Sequence, residues 1–121
     1  MGKIALNNMK FYAYHGCFKE EAIVGMHFSV DLVMYTDTSN PQKSDNLEDT
    51  IDYQSVYLMV KEQMEKRSNL LEHVLQRILT GLHENFPEVE HAEVTLHKIN
   101  PPLGSSVVGS VSVTLNSDDL N

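Results

Sequence analysis

Hydrophobic and polar residues alternate in several stretches of this chain, and a period of two is typical of β-strands with one buried face. The clearest stretch is 28–34, whose apolar face consists of Phe28, Val30, Leu32 and Met34. An aromatic and aliphatic run precedes it, and two more alternating stretches lie near the end of the chain. The pattern therefore predicts four strands, at residues 4–14, 28–34, 92–96 and 107–115.

Between the second and third strands, the apolar residues recur every three or four positions, which is the spacing of an amphipathic helix. One helix is predicted at 53–64, with Asp52 as its N-cap. A second is predicted at 71–82, with Ser68 or Asn69 as its N-cap. The chain thus carries two helices in the middle and strands at both ends.

Two polar segments are predicted to lack regular structure. Residues 36–52 contain Pro41 and a cluster of acidic side chains, which is typical of a loop. The run Lys19, Glu20 and Glu21 lies between the first two strands, where charged residues usually form a solvated turn.

The resulting order, ββααββ, favours an α+β fold: a four-stranded antiparallel sheet with two helices on one face. A length of 121 residues is that of one domain, so we expect a single domain over 1–121. A (β/α)₈ barrel is excluded because it needs about 250 residues. The predicted sheet has two open edges, and such edges favour pairing between copies of the chain.

Composition and charge narrow the class of partner. The chain has 9 basic and 17 acidic residues and a net charge of −8. This charge disfavours binding to nucleic acids and to anionic membranes, because both are negatively charged. Cys17 is the single cysteine and cannot form an internal disulfide. Without a signal peptide or an apolar run of about 18 residues, the sequence predicts a soluble cytoplasmic protein.

Lys98 is the most informative polar residue because it continues an apolar row. Counting by twos from Ala92 through Val94 and Leu96 puts Lys98 on the same strand face. Its amine either extends into solvent at the strand end or lies in a pocket, which the stiff segment 100–104 could close. Both interpretations are open from the residues alone.

Three other side chains have an ordinary and a chemical interpretation. Glu72 either completes a capping box with Asn69 or offers two acceptor oxygens to a guanidine-like edge, as on a pterin or guanine. Glu21 is either a solvated turn residue or part of a site. Tyr53 is either a core residue or presents its hydroxyl.

The six histidines do not have the spacing of a metal site. His91 and His97 are roughly 20 Å apart along one strand, and His73 and His83 are about 15 Å apart along one helix. Neither pair can bind one ion, so no metal is predicted.

Taken together, these stretches resemble the dihydroneopterin aldolase family. The resemblance covers most of the chain and rests on residues 9–16, on Glu21 with Gly25, on Asp45 with 49–53, on 71–73 and on 98–102. It implies the tunnelling fold, in which four sheets join into a ring barrel and two rings stack into a homo-octamer. Active sites then lie between subunits.

The resemblance also implies a reaction and a role for each residue. The reaction is the retro-aldol cleavage of 7,8-dihydroneopterin, without a cofactor, since the substrate's own imine accepts the electrons. Lys98 is implied as the general acid/base, and Glu21 is implied to contact the substrate side chain and to help order the catalytic water. Glu72 and the Leu71 backbone are implied to bind the pterin ring, and Tyr53 to act from the neighbouring subunit.

Two alternatives remain from the sequence. A dihydroneopterin triphosphate epimerase would need several cations near the substrate side chain, where only Lys98 is conspicuous. A non-catalytic pterin- or purine-binding module would keep Glu72 but need no proton donor. One departure from the family pattern follows Lys98: many relatives read Pro-Pro-Ile-Pro-Gly, whereas the segment Pro101-Pro102-Leu103-Gly104 lacks the third proline.

Overall fold

A computed structural model describes residues 1–101 and 108–120 of the chain. Four strands form one sheet in the order β1-β2-β3-β4, and each neighbouring pair is antiparallel. The strands are β1 (Gly2–Ala13), β2 (Met26–Thr36), β3 (His91–Ile99) and β4 (Ser110–Asn116). The α+β sheet predicted from the alternating pattern is confirmed. The part of the fourth predicted strand around Val107 lies outside the described residues.

Four α-helices accompany the sheet in the described part of the chain. They are α1 (Lys19–Val24), α2 (Ser39–Ser44), α3 (Tyr53–Glu65) and α4 (Leu71–Asn85), and two 3₁₀ turns occupy Leu47–Asp49 and Ser117–Leu120. The two long helices, α3 and α4, are those predicted from the helical spacing. The Asp52 carboxylate caps α3 as expected, accepting the Gln54 N–H at 3.0 Å.

The prediction of an unstructured loop at 36–52 is wrong. This segment contains α2 and the first 3₁₀ turn. Pro41 does not prevent the helix, because it lies in the first turn, where a backbone N–H has no partner within the helix. The Asp37 carboxylate accepts the Ser39 N–H at 3.0 Å, and Asp45 ends the helix in the left-handed conformation.

The core lies between one face of the sheet and the helices. α3 packs over β1, while α4 packs over β3 and β4. Alternate residues of β2 face this layer and are almost fully buried, as the period of two predicts. Helix α4 contributes the largest share of apolar residues from the other side, at Leu71, Val74, Leu75, Ile78, Leu79 and Leu82. The core therefore fixes which side of β3 faces the helices, and Lys98 lies on that side.

No helix in the described residues is long and apolar enough to cross a membrane.

Candidate active site

Lys98 and Glu21 form an ion pair beneath the helices. Lys98 lies near the end of β3, opposite Phe28 of β2 and Val111 of β4. Its Nζ contacts Oε2 of Glu21, and only 13% of the Lys98 side chain and 4% of the Glu21 side chain are exposed. Lys98 therefore ends in a pocket rather than in solvent.

The interpretation of Glu21 as a solvated turn residue is wrong. The segment 19–24 forms α1, and Glu21 is its buried residue. Its Oε1 accepts the backbone N–H of Phe18 at 3.2 Å, while Oε2 meets Lys98. A carboxylate that is paired and hydrogen-bonded can be buried, which local sequence alone does not reveal.

Gly16 makes room for this carboxylate. It is buried with φ +149°, and a Cβ placed there would overlap the Glu21 carboxyl group. Both the backbone conformation and the space therefore require glycine at this turn.

Glu72 lies in the first turn of α4, and the predicted capping by Ser68 or Asn69 is wrong. The N-cap is Leu70, which makes no side-chain capping bond. Asn69 is engaged elsewhere, since its Oδ1 accepts from Arg67 at 3.1 Å. Glu72 is exposed, whereas Leu71 is buried. The start of α4 thus presents backbone N–H groups and a carboxylate at the same place.

One cavity of about 360 Å³ brings these groups together. Its polar lining includes Glu21, Lys98 and Glu72, and Leu71 lines it as well. Apolar walls come from Phe18, Leu70, Pro101, Val111 and Val113. The cavity thus combines apolar walls with a few convergent polar groups, namely two carboxylates and one amine, which is the make-up of a small-molecule binding site.

A second cavity, of about 390 Å³, is lined by acidic residues of a different region. It includes Asp37, Asp49, Glu88 and Glu90, and its described lining contains no basic side chain. It therefore lacks a proton donor–acceptor pair of opposite charge. The smaller cavity, at Lys98, is the better candidate for chemistry.

Tyr53 is the one predicted site residue that the structure of a single chain does not bring into the cavity. It is the first residue of α3 and is 61% exposed, so it is not a core residue. Its hydroxyl is available to another molecule or to another copy of the chain.

His15 is a buried polar residue next to the cavity, and the hydrophobic pattern of the sequence does not single it out. It is fully buried, and its Nδ1 accepts the Ser68 N–H at 3.1 Å. Its pKa is lowered to about 4, chiefly by burial; the nearby charges of Arg77, Arg67 and Lys98 act in the same direction, and the Met64 backbone acts in the opposite one. The signal was weak because a histidine before a glycine does not reveal what its ring contacts.

His97 points to the opposite face of the sheet from Lys98, as strand alternation predicts. Its Nε2 lies 2.8 Å from Oδ2 of Asp31. The backbone N–H of Asn8, in a bulge of β1, donates to Oδ1 of the same carboxylate and is the main cause that lowers the pKa of Asp31. His97 therefore belongs to a separate polar contact.

Comparisons with known proteins point to one family. A family model described as dihydroneopterin aldolase matches residues 4–116. A dihydroneopterin aldolase of Staphylococcus epidermidis is 39% identical over 101 residues, covering 83% of this chain and 84% of the relative.

Two solved structures share the fold. Dihydroneopterin aldolase of E. coli in complex with neopterin superposes with a TM-score of 0.87 at 20% identity, covering 96% of this chain and 98% of that one. Dihydroneopterin aldolase of Burkholderia thailendensis bound to guanine gives a TM-score of 0.75 at 16% identity, covering 95% and 88%.

Proposed function

This chain belongs to the dihydroneopterin aldolase family, and we propose that the cavity at Lys98 is where it acts on its pterin substrate. The family's reaction is that of a lyase, which cleaves 7,8-dihydroneopterin into 6-hydroxymethyl-7,8-dihydropterin and glycolaldehyde. The observation that carries the location is the buried Lys98–Glu21 ion pair in the same cavity as Glu72.

Glu72 is proposed to bind the pterin ring. The 2-amino group and the adjacent ring N–H form two parallel donors, which match the two oxygens of one carboxylate. The backbone of Leu71 would add a further contact at the start of α4. The neopterin bound by the E. coli relative and the guanine bound by the Burkholderia relative both carry such a donor edge, which supports this role.

Lys98 is proposed as the general acid/base, with Glu21 beside it. The proton of the 2′-hydroxyl leaves, the C1′–C2′ bond breaks, and its electrons enter the C6=N5 imine, which gains a proton at N5. C1′ is then protonated as N5 loses its proton, which gives the hydroxymethyl product. Lys98 would carry these protons through a water molecule, and Glu21 would orient that water and the substrate side chain.

Tyr53 is proposed to complete the site from a neighbouring subunit. Its exposure at the start of α3 and the open outer strands of the described sheet, β1 and β4, support this arrangement. We propose a homo-octamer of two stacked tetramer rings, each chain being one domain over 1–121. The location is proposed to be cytoplasmic.

The test is a direct assay of glycolaldehyde release from 7,8-dihydroneopterin, with the substrate triphosphate as comparison and with a chelator present. We expect turnover of dihydroneopterin that the chelator leaves unchanged. Preferential turnover of the triphosphate would favour the epimerase, and loss of activity on chelation with return on zinc would exclude this mechanism. Tight pterin binding without turnover of either compound would indicate a binding module.

A further inference from the structure

Two segments of the chain form two different walls of the cavity. The turn after β1 and helix α1 supply Gly16, Cys17 and Glu21, while the α3–α4 connection and the start of α4 supply Asn69 and Glu72. The proposed acid–base partner therefore lies on one wall and the proposed ring-binding carboxylate on the other. Their separation decides whether a bound pterin presents its side chain to Lys98.

The backbones of these walls are joined by three side chains: Cys17, whose Sγ donates to the Asn69 carbonyl at 3.3 Å, and His15 and Arg67, whose contacts lie deeper or are shorter. Inside, Nδ1 of His15 accepts the Ser68 N–H at 3.1 Å, next to a bond from the Gly16 N–H to the Ser68 carbonyl at 3.0 Å. Outside, Arg67 donates to the Gly16 carbonyl at 2.8 Å and to Asn69 Oδ1 at 3.1 Å. The junction between residues 15–16 and 67–69 is thus held from both sides.

The His15 ring is itself fixed by the core. It packs edge-on against Phe28, with ring centroids 5.4 Å apart and an interplanar angle of 73°. Phe28 lies directly opposite Lys98 in the sheet. The ring therefore links Ser68 to the β2–β3 strand pair, which carries the Lys98 amine.

We propose that His15 is a positioning residue for the aldolase reaction. Its unprotonated Nδ1, together with Arg67 on the outer side, holds the wall that contains Glu72 at a fixed distance from the wall that contains Glu21 and Lys98. This inference rests on the proposed function of the cavity. It assigns a role to two side chains that do not line the cavity themselves. The acceptor at Nδ1 is the feature that matters, because its loss leaves the buried Ser68 N–H without a partner and frees the junction to shift.

The test compares two replacements of His15 in the full-length protein. Asparagine places its side-chain oxygen near the position of Nδ1 and can still accept from Ser68, whereas leucine has a similar size but no acceptor. Because a shift of about 1 Å at a site can cost about 100-fold in rate, we expect His15→Leu to lower kcat/KM by roughly 10- to 100-fold. His15→Asn should recover most of that loss and bind neopterin within about 3-fold of the unmodified protein.

Arg67 provides a second variant that does not depend on a core replacement. Its side chain is on the exposed part of the connection, so Arg67→Met should fold normally, and we expect a loss of roughly 3- to 10-fold in kcat/KM. Lys66→Met removes a neighbouring exposed cation without touching the junction and should leave kcat/KM unchanged. His83→Asn removes a half-buried histidine elsewhere in α4, whose Nε2 contacts Ser117 Oγ at 2.7 Å, and is the control for loss of stability.

The outcomes separate this inference from the function on which it rests. Absence of aldolase activity in the unmodified protein contradicts the proposed function. An active protein in which His15→Leu and His15→Asn lose equal activity, or lose only thermal stability, contradicts the role of the acceptor. If His15→Leu does not fold, unchanged kcat/KM in Arg67→Met overturns the proposal, and a loss there beyond that in Lys66→Met supports it.

Discussion

Lys98 and Glu21 lie 77 positions apart in the sequence, yet their side chains meet as an ion pair that is almost completely shielded from solvent. Lys98 lies near the end of β3, a strand predicted by its alternating pattern, whereas Glu21 lies in α1, a short helix that no pattern in the sequence predicts. Removing one member of a buried pair leaves an uncompensated charge, whereas removing both does not. This asymmetry separates the contribution of the pair to stability from its contribution to catalysis.

Lys98→Met should therefore affect both stability and turnover. We expect the free energy of unfolding to fall by about 3–5 kcal/mol, because the Glu21 carboxylate is left buried without its partner. We expect kcat to fall by roughly 100- to 10,000-fold, the usual contribution of a general acid/base. Denaturant unfolding and steady-state kinetics measure the two effects.

The double variant Lys98→Met with Glu21→Gln is the matched control. It should regain much of the lost stability and none of the activity. A single variant as stable as the unmodified protein would show that the pair is not buried in solution. Activity in the double variant would show that another group carries the proton.

Glu72→Gln should act on pterin binding rather than on folding. Glu72 is exposed in the free protein, so the free energy of unfolding should change by less than about 0.5 kcal/mol. The amide presents an N–H₂ group to a ligand donor, and we expect neopterin affinity to fall by about 3 kcal/mol, or roughly 100-fold. Calorimetric titration measures this affinity. Glu84→Gln, an exposed change on the same helix away from the cavity, should leave it unaltered.

The two periods of the hydrophobic pattern predict much of the fold. The alternation in 28–34 places alternate residues of β2 in the core, and the same counting places Lys98 on the helix side of β3. These predictions hold because a sheet with one buried face leaves a period of two in the sequence. The spacing of apolar residues likewise predicts α3 and α4, since each buries one stripe.

The site was only partly predictable, because its remaining features depend on tertiary contacts. Glu21 is buried because the Phe18 N–H and Lys98 satisfy its oxygens, and neither contact leaves a periodic pattern. Asparagine is a favoured residue type at the N-cap, but the side chain of Asn69 accepts a hydrogen bond from Arg67, and the helix begins after Leu70. Local propensity is overridden in both cases: for Glu21 by Lys98, which is distant in the sequence, and for Asn69 by the neighbouring Arg67.

Gly16→Ala tests the packing of the turn against the Lys98–Glu21 ion pair. The new methyl group would overlap the Glu21 carboxyl group, and φ +149° is unfavourable for alanine. We expect the unfolding free energy to fall by about 1–3 kcal/mol and kcat to fall with it, because Glu21 must move. Gly109→Ala is the control, since a Cβ there meets nothing within 4 Å. Equal behaviour of the two variants would contradict the close contact at Gly16.

His15 should make folding stability depend on pH between about 6.5 and 4. Above pH 6.5 the imidazole is neutral in the folded and unfolded states and adds no pH dependence. Below it, the unfolded chain takes up a proton that the folded chain does not, because burial lowers the pKa of His15 to about 4. The free energy of unfolding should therefore decrease by about 1.4 kcal/mol for each unit by which the pH is lowered, or by on the order of 3 kcal/mol over the interval.

Urea unfolding at pH 7 and pH 4.5 measures this dependence. The asparagine in His15→Asn does not titrate, so the decrease in the free energy of unfolding between the two pH values should be smaller in this variant by the contribution of His15. The acidic residues titrate in both proteins and cancel in the comparison. An identical pH dependence in the two proteins would mean that His15 is protonated as easily in the folded state as in the unfolded state.

Mixing two inactive variants tests whether Tyr53 acts across a subunit boundary. Lys98→Ala and Tyr53→Phe each remove one proposed group, and Tyr53 is exposed, so neither its fold nor its assembly should suffer. If a site combines Lys98 of one chain with Tyr53 of the next, co-expressed variants should form intact sites at random and recover about a quarter of full activity. Lys98→Ala mixed with Glu72→Gln, assayed at a substrate concentration too low to saturate the Glu72→Gln variant, is the matched control, because both residues line the cavity of the same chain and no mixed site can combine two intact copies. No recovery in the Tyr53 mixture would place Tyr53 outside a shared site, whereas recovery in the control would show that Lys98 and Glu72 of different chains meet in one site.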